Sequence, residues 1–250
     1  VSRAAAPVVV RDQQTDFEVR ADDPYAMAKY AIALAWLGEV RTLRTLVVGS
    51  GSGELACFLA QRGAEVLAID VDEASVGFTR RTAARLGAVL RTGVSTLEGF
   101  DGAARFDLVV ATDVLEHIAD DAAAVAKLKG LLAPGGRLLL TVPALPALFG
   151  YHDEILGHFR RYSRPGLRRL VEGGGGGAVR VRQARYFGLF LIPVALLLSR
   201  LLRRPYPVAQ LGARARRATS PLGLLLRGLL ALERRVAFPA GTSLLLLAEK

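Results

Sequence analysis

The chain has 250 residues, 52% of them hydrophobic, which is enough to bury a large core and is ordinary for a single α/β domain with additions. Its only cysteine, Cys57, excludes an intrachain disulfide. No basic segment followed by an apolar run stands at the N-terminus, so no secretory signal is visible and the cytoplasm is the expected compartment. The net charge of +10 is unevenly placed: residues 178–236 hold 12 arginines, no lysine and one acid, Glu233, while the remaining residues carry 21 basic and 22 acidic groups. Such a segment suits phospholipid, nucleic acid or an anionic substrate, or is simply a solvated face.

In chain order, "DPYAMAKYAIALAWLGEV" predicts a helix begun by Pro24. From Leu43 short apolar runs alternate with amphipathic stretches, the pattern of βαβ units around a parallel sheet. Strands are expected at 44–48, 65–70, 88–92, 106–112 and 136–143, with helices over 54–62 and 73–86. Asp120 and Asp121 open a further helix reaching Leu132, their carboxylates favouring its positive end, and "APGG" (133–136) stops it. Ser163 reads as the N-cap of a helix to Val171, "GGGGG" (173–177) as a loop, "VRVRQARYF" and "SLLLLAEK" as the last strands. No internal repeat is present.

The stretch "LVVGSGSGE" (46–54) places a glycine turn between a strand and a helix, an arrangement that brings backbone close to a ligand at the sheet's carboxyl edge. A dinucleotide fingerprint would require a third glycine at position 54, where this chain has Glu54. A carboxylate at the helix N-terminus disfavours a pyrophosphate there and tolerates a cofactor that bears a cation and no phosphate.

Four blocks in order resemble the class I S-adenosylmethionine-dependent methyltransferases: "VVGSGSGEL", "AIDVDEASV", "FDLVVATDVLEHI" and "LLAPGGRLLLTVP". The resemblance covers Leu43 to about Val171, and "TSLLLLAEK" is similar to the antiparallel last strand of that fold. It implies a Rossmann-like α/β fold: a mostly parallel seven-stranded sheet with an antiparallel last strand, helices on both faces, and here an extra helical insert before that strand. One domain is expected, divided into a helical extension (1–42), a cofactor-binding core (43–172), a strand with an Arg-rich hydrophobic insert (173–241) and the last strand (242–250).

The resemblance also implies that S-adenosyl-L-methionine is the cofactor and S-adenosyl-L-homocysteine the product. Gly49, Ser50, Gly51 and Gly53 would meet the methionine end, Asp70 with Val71 the ribose, and Thr112 and Asp113 the sulfonium and amino-acid moiety. A carboxylate suits Asp70, having acceptors for both ribose hydroxyls, and the alternative is a turn or cap. Two departures from the family pattern are Val47 and Val94 or Ser95, where acidic residues are usual.

After the fifth strand, "YHDEILGHFRRY" resembles a segment of a bacterial subset of this family. His152, Asp153, His158 and Tyr162 are the candidate catalytic residues, and Tyr151, Arg160 and Arg161 the candidate substrate contacts. A histidine titrates near neutrality and an arginine fork binds carboxylate or phosphate. The competing reading makes the same residues an ion-paired lid. No established metal-ligand spacing is matched, so no metal is expected.

"FGLFLIPVALLLSRLL" (187–202) is too short and too interrupted by Pro193 to span a bilayer but suits its interface, and "PLGLLLRGLLALERRV" (221–236) has the same character. Both could instead cap the pocket. Either reading points to an apolar or isoprenoid-like acceptor with an anionic group, and to membrane-surface contact through 187–235 as a partner interaction. Nicotinamide-dependent oxidation and a non-catalytic membrane scaffold are the alternatives, nucleic acid ranks low as a partner, and the oligomeric state is left open.

Overall fold

The structure is a computed structural model that describes residues 23–101, 105–205 and 221–250, without the side chain of Leu222. Residues 1–22 of the expected extension and 206–220 of the expected insert lie outside the described residues. Seven strands form one sheet in the order β3-β2-β1-β4-β5-β7-β6, with β1 Arg44–Val48, β2 Glu65–Asp70, β3 Arg91–Val94, β4 Phe106–Thr112, β5 Leu132–Pro143, β6 Arg180–Phe187 and β7 Ser243–Glu249. The first five run parallel, while β7 lies antiparallel between β5 and β6.

Helices cover both faces because the central strands are apolar on both. In β4, Leu108 and Val110 join the core beneath α1 (Pro24–Leu37) and α2 (Glu54–Gln61), whereas Phe106, Val109 and Ala111 join the core beneath α4 (Asp121–Gly130) and α6 (Arg164–Glu172). This is the near-continuous hydrophobic reading of strands buried on two sides. Between them, α3 (Glu73–Leu86) is started by Asp72, which accepts from the amides of Ala74 and Ser75. Asp23, Asp120 and Ser163 likewise cap α1, α4 and α6 with their side chains.

Two boundaries differ from the sequence reading. β3 starts at Arg91, not at 88, so "AVL" belongs to the connection after α3. β5 starts at Leu132, and "APGG" lies within the strand instead of stopping the helix, which ends at Gly130. A shift of register between Phe106 and Leu108 absorbs these extra residues, and Gly136 sits where a Cβ would meet the Ala133 and Phe106 carbonyls at 2.8 and 3.0 Å.

Beyond Pro143 come α5 (Tyr151–Ile155) and, after β6, a run of short helical turns over 189–201 whose last part is a π-helix, Ala195–Leu201. The last helix, α7 (Pro221–Arg235), packs on α1. No helix among the described residues is long and apolar enough to cross a membrane.

Candidate cofactor crevice and its neighbouring lid

The sheet order reverses between β1 and β4, and open α/β sheets bind ligands in the crevice outside the strand ends at such a point. Here that crevice is bordered by the 49–53 turn, the end of β2 and the residues after β4. Gly49, Gly51 and Gly53 all have positive φ (68°, 52° and 86°), which explains three glycines in five positions. The space beside Gly49 and Gly53 is filled by the protein itself: a Cβ on Gly49 would lie 2.4 Å from Val114 Cγ2, and one on Gly53 2.8 Å from the Thr79 Cα. These two glycines therefore also let the turn pack closely on the β4 loop and α3.

Asp70 ends β2 with both carboxylate oxygens oriented by backbone amides. The Gly51 N–H donates to Oδ2 at 3.0 Å and the Asp72 N–H to Oδ1 at 3.2 Å. Burial raises its pKa above the usual aspartate value, and the amide bonds only partly oppose that shift. Each oxygen keeps a further lone pair for a ligand hydroxyl. Ser50 receives a hydrogen bond on its Oγ from Thr79 at 2.9 Å, while Val71 is largely exposed at the rim. Val94 is exposed and in register with Asp70; Val47 is buried in the core beneath α1 and α2, so that position serves packing.

Thr112 lies opposite Thr141 of β5, and the next residue, Asp113, adopts φ 54°, unusual for a non-glycine residue. Its carboxylate is held on one oxygen by Lys29 Nζ at 2.7 Å and on the other by Thr141 Oγ1 at 3.0 Å. Burial opposes the charge on both partners, yet their attraction prevails: Lys29 is held above the usual lysine range and Asp113 below the usual carboxylate range. Sequence reasoning missed Lys29. The signal was present, since Lys29 is the only charged residue of the otherwise apolar α1. The pair sets a cation and an anion side by side at the crevice, a donor set that fits a zwitterionic α-amino acid.

The segment 151–162 is built differently. Asp153 is fully buried and accepts from Arg161 Nε at 2.8 and 2.9 Å and faces His158 Nδ1 at 2.9 Å; these partners hold its carboxyl below the usual range despite burial. Arg161 also donates to the Ala144 carbonyl at 3.2 Å and is itself buried, so it is a strut and not the substrate contact expected. The Tyr162 hydroxyl donates to Asp121 Oδ2 at 2.9 Å, and burial pushes its pKa far up. Arg160 reaches Asp121 Oδ2 at 2.8 Å and the Ala119 carbonyl at 2.6 Å but stays partly exposed. The His152 amide donates to Ser199 Oγ at 2.9 Å, and Tyr151 lies beneath Arg203 with 5.6 Å from guanidinium to ring centre. These contacts weld α5 to the π-helix.

Glu116 belongs to the Leu115-Glu116-His117 triplet within the fourth-strand block that resembles the family's. It is 1% exposed, and burial, with the nearby Asp113 charge, drives its carboxyl well above the usual range. His117, beside it, meets His158 edge to face with ring centres 4.7 Å apart.

The fold is the Rossmann-like one of solved S-adenosylmethionine-dependent methyltransferases, a mostly parallel seven-stranded sheet with an antiparallel last strand. Residues 46–138 match the family model described as methyltransferase domain. A ubiquinone biosynthesis O-methyltransferase of Methylocella silvestris is 42% identical over 95 residues, 38% of this chain and 37% of the relative, so the chain spans well under two thirds of the curated relative it matches. Among solved structures, an S-adenosylmethionine-dependent methyltransferase from Mesorhizobium loti superposes with a TM-score of 0.58 at 17% identity, covering 89% of this chain and 98% of that one. The magnesium protoporphyrin IX methyltransferase of Synechocystis, solved with S-adenosylmethionine bound, has a TM-score of 0.51 at 21% identity over 72% of this chain and 78% of its own.

Proposed function

We propose that this protein binds S-adenosyl-L-methionine in the β1/β4 crevice and transfers the methyl group to a small apolar or isoprenoid-like acceptor bearing an anionic group. The observation that carries the reading is the convergence of Asp70, with its lone pairs aimed by two amides, and the Lys29–Asp113 pair on one crevice. The cofactor supplies a methyl group already activated by a positive sulfur, so the chain's own contribution is orientation and exclusion of water. Asp70 would hold the ribose hydroxyls, Lys29 the amino-acid carboxylate and Asp113 its ammonium. With Nδ1 turned to Asp153, His158 keeps Nε2 for an acceptor proton, a task that arises only when the acceptor must lose one.

The acceptor class is read from the surroundings of α5. Leu197, Leu201 and Leu202 are exposed beside Arg200, Arg203 and Arg204, and Phe159 is exposed on the neighbouring loop. That mixture suits an anionic amphiphile and peripheral contact with the inner membrane face, and sedimentation with phosphatidylglycerol vesicles but not phosphatidylcholine vesicles is the expected result.

The test of the cofactor reading is a calorimetric titration with S-adenosylhomocysteine, with NADH as control. Wild type should bind the homocysteine product and not NADH, and Asp70→Ala should weaken it about a hundredfold, roughly two charge-assisted hydrogen bonds. Binding of NADH would favour the oxidoreductase reading; binding of neither would favour a non-catalytic scaffold.

A further inference from the structure

Three metal-ligating side chains converge beside the crevice. One ligand atom each from Glu116, His117 and His158 lie within 4.8 Å of one another. Glu116 and His117 are adjacent in the 3-10 turn Leu115–His117, and His158 comes from the loop after α5. The two segments are clamped together where the Phe159 N–H donates to the Glu116 carbonyl at 2.7 Å.

Two observations indicate a missing ligand. Glu116 is 1% exposed, yet its Oε2 has no hydrogen-bond partner. Buried polar atoms are almost always satisfied, so a carboxyl oxygen left bare in the interior marks an unmet contact. His158 has its Nδ1 against Asp153 Oδ1 at 2.9 Å, which fixes the ring and leaves Nε2 for a ligand. A carboxylate holding the far nitrogen of a histidine is the arrangement that orients metal-binding imidazoles.

We propose that Glu116, His117 and His158 form a binding site for a divalent cation of borderline hardness such as Zn²⁺ or Co²⁺, the class that two imidazoles and a carboxylate match. In a tetrahedral site with ligand distances of about 2.1 Å the donors stand about 3.4 Å apart, so the three must draw in slightly. His117 is the exposed member of the three, while His158 is held by Asp153. Asp113, three residues before Glu116, already carries Lys29 and Thr141 and faces the proposed amino-acid subsite, so it is not counted as a ligand.

A cation on His158 Nε2 would exclude the proton-accepting role considered for that nitrogen above while leaving the cofactor reading untouched, and it is measured by metal binding with no cofactor present. The full chain, stripped with chelator, is titrated with Co²⁺ and followed by calorimetry and by visible d–d absorption. One ion per chain is expected, with affinity lowered about tenfold or more in His117→Ala and in Glu116→Gln and retained in His152→Ala, the remaining histidine. His117 is exposed, so its variant decides the matter if Glu116→Gln does not fold. Absence of Co²⁺ binding by wild type, or equal binding by His117→Ala, would overturn the proposal.

Discussion

Asp70 is half-buried at the end of β2 and Asp153 fully buried in α5, and their surroundings pull their carboxyls in opposite directions. Asp70 is held by two backbone amides and faces a crevice; burial dominates, and its pKa rises. Asp153 is enclosed by a guanidinium and an imidazole; those charges dominate, and its pKa falls. The first arrangement keeps an acceptor ready for something from outside, whereas the second satisfies the carboxylate internally and holds two chain segments together. A charged residue near a crevice is thus evidence for ligand binding only when its partners leave it capacity.

The contrast can be broken most directly at Asp153. Asp153→Ala would leave Arg161 charged and buried, a loss of about 3–5 kcal/mol, which in a chain of this size lowers the melting temperature by about 6–20 °C. An unchanged melt would show that the network is not a strut. Smaller, on the other side, is Lys29→Met: loss of a charged hydrogen-bond partner should weaken S-adenosylhomocysteine about tenfold or more. Binding of 5′-methylthioadenosine, which lacks the amino-acid end, should stay constant; equal weakening of both ligands would remove Lys29 from the amino-acid subsite.

Acidification separates the two aspartates without mutation. Because the Asp70 pKa is raised, its carboxylate is lost at a higher pH than that of an ordinary aspartate, and S-adenosylhomocysteine affinity should decline there. The Asp153 pKa is depressed, so its contribution to stability is present above the unfolded-state value and is lost only as pH falls through the lower folded one. Affinity measured by titration should therefore fail before the thermal melt does; the reverse order would contradict the assignment. The smallest effect is expected from Arg160→Ala. Its ion pair with Asp121 is partly exposed and contributes at most about 1 kcal/mol to stability. A rise in acceptor KM without loss of cofactor affinity would mark Arg160 as the anion contact.

Much of the sheet was legible because hydrophobic runs, glycine turns and capping residues are local signals. Asp72, Asp120 and Ser163 announce their helices within three residues. What misled at "APGG" was turn chemistry read without its partner strand, since only the pairing of β4 with β5 reveals that these residues continue a bulged strand. Residue types around the crevice were readable, but occupancy was not. Nothing in "GHFRRY" says that Arg161 turns inward to Asp153 while Arg160 turns outward, and Lys29 becomes notable only when α1 is seen to bring it, 84 residues away in sequence, to Asp113.

The position of β7 bears on how the molecule is made. The strand that seats β6 against the rest of the sheet is Ser243–Glu249, so a nascent chain extended as far as Phe187 has β6 but no neighbour for it. Until β7 emerges, β5 presents an unpaired apolar edge on which strands of other chains can add. Pairing β5 with β7 also closes a loop of roughly a hundred residues, a slow contact by nature. The interval between translating β5 and translating β7 is thus when this protein is most exposed to misassembly, and when a ribosome-associated chaperone would have most to shield.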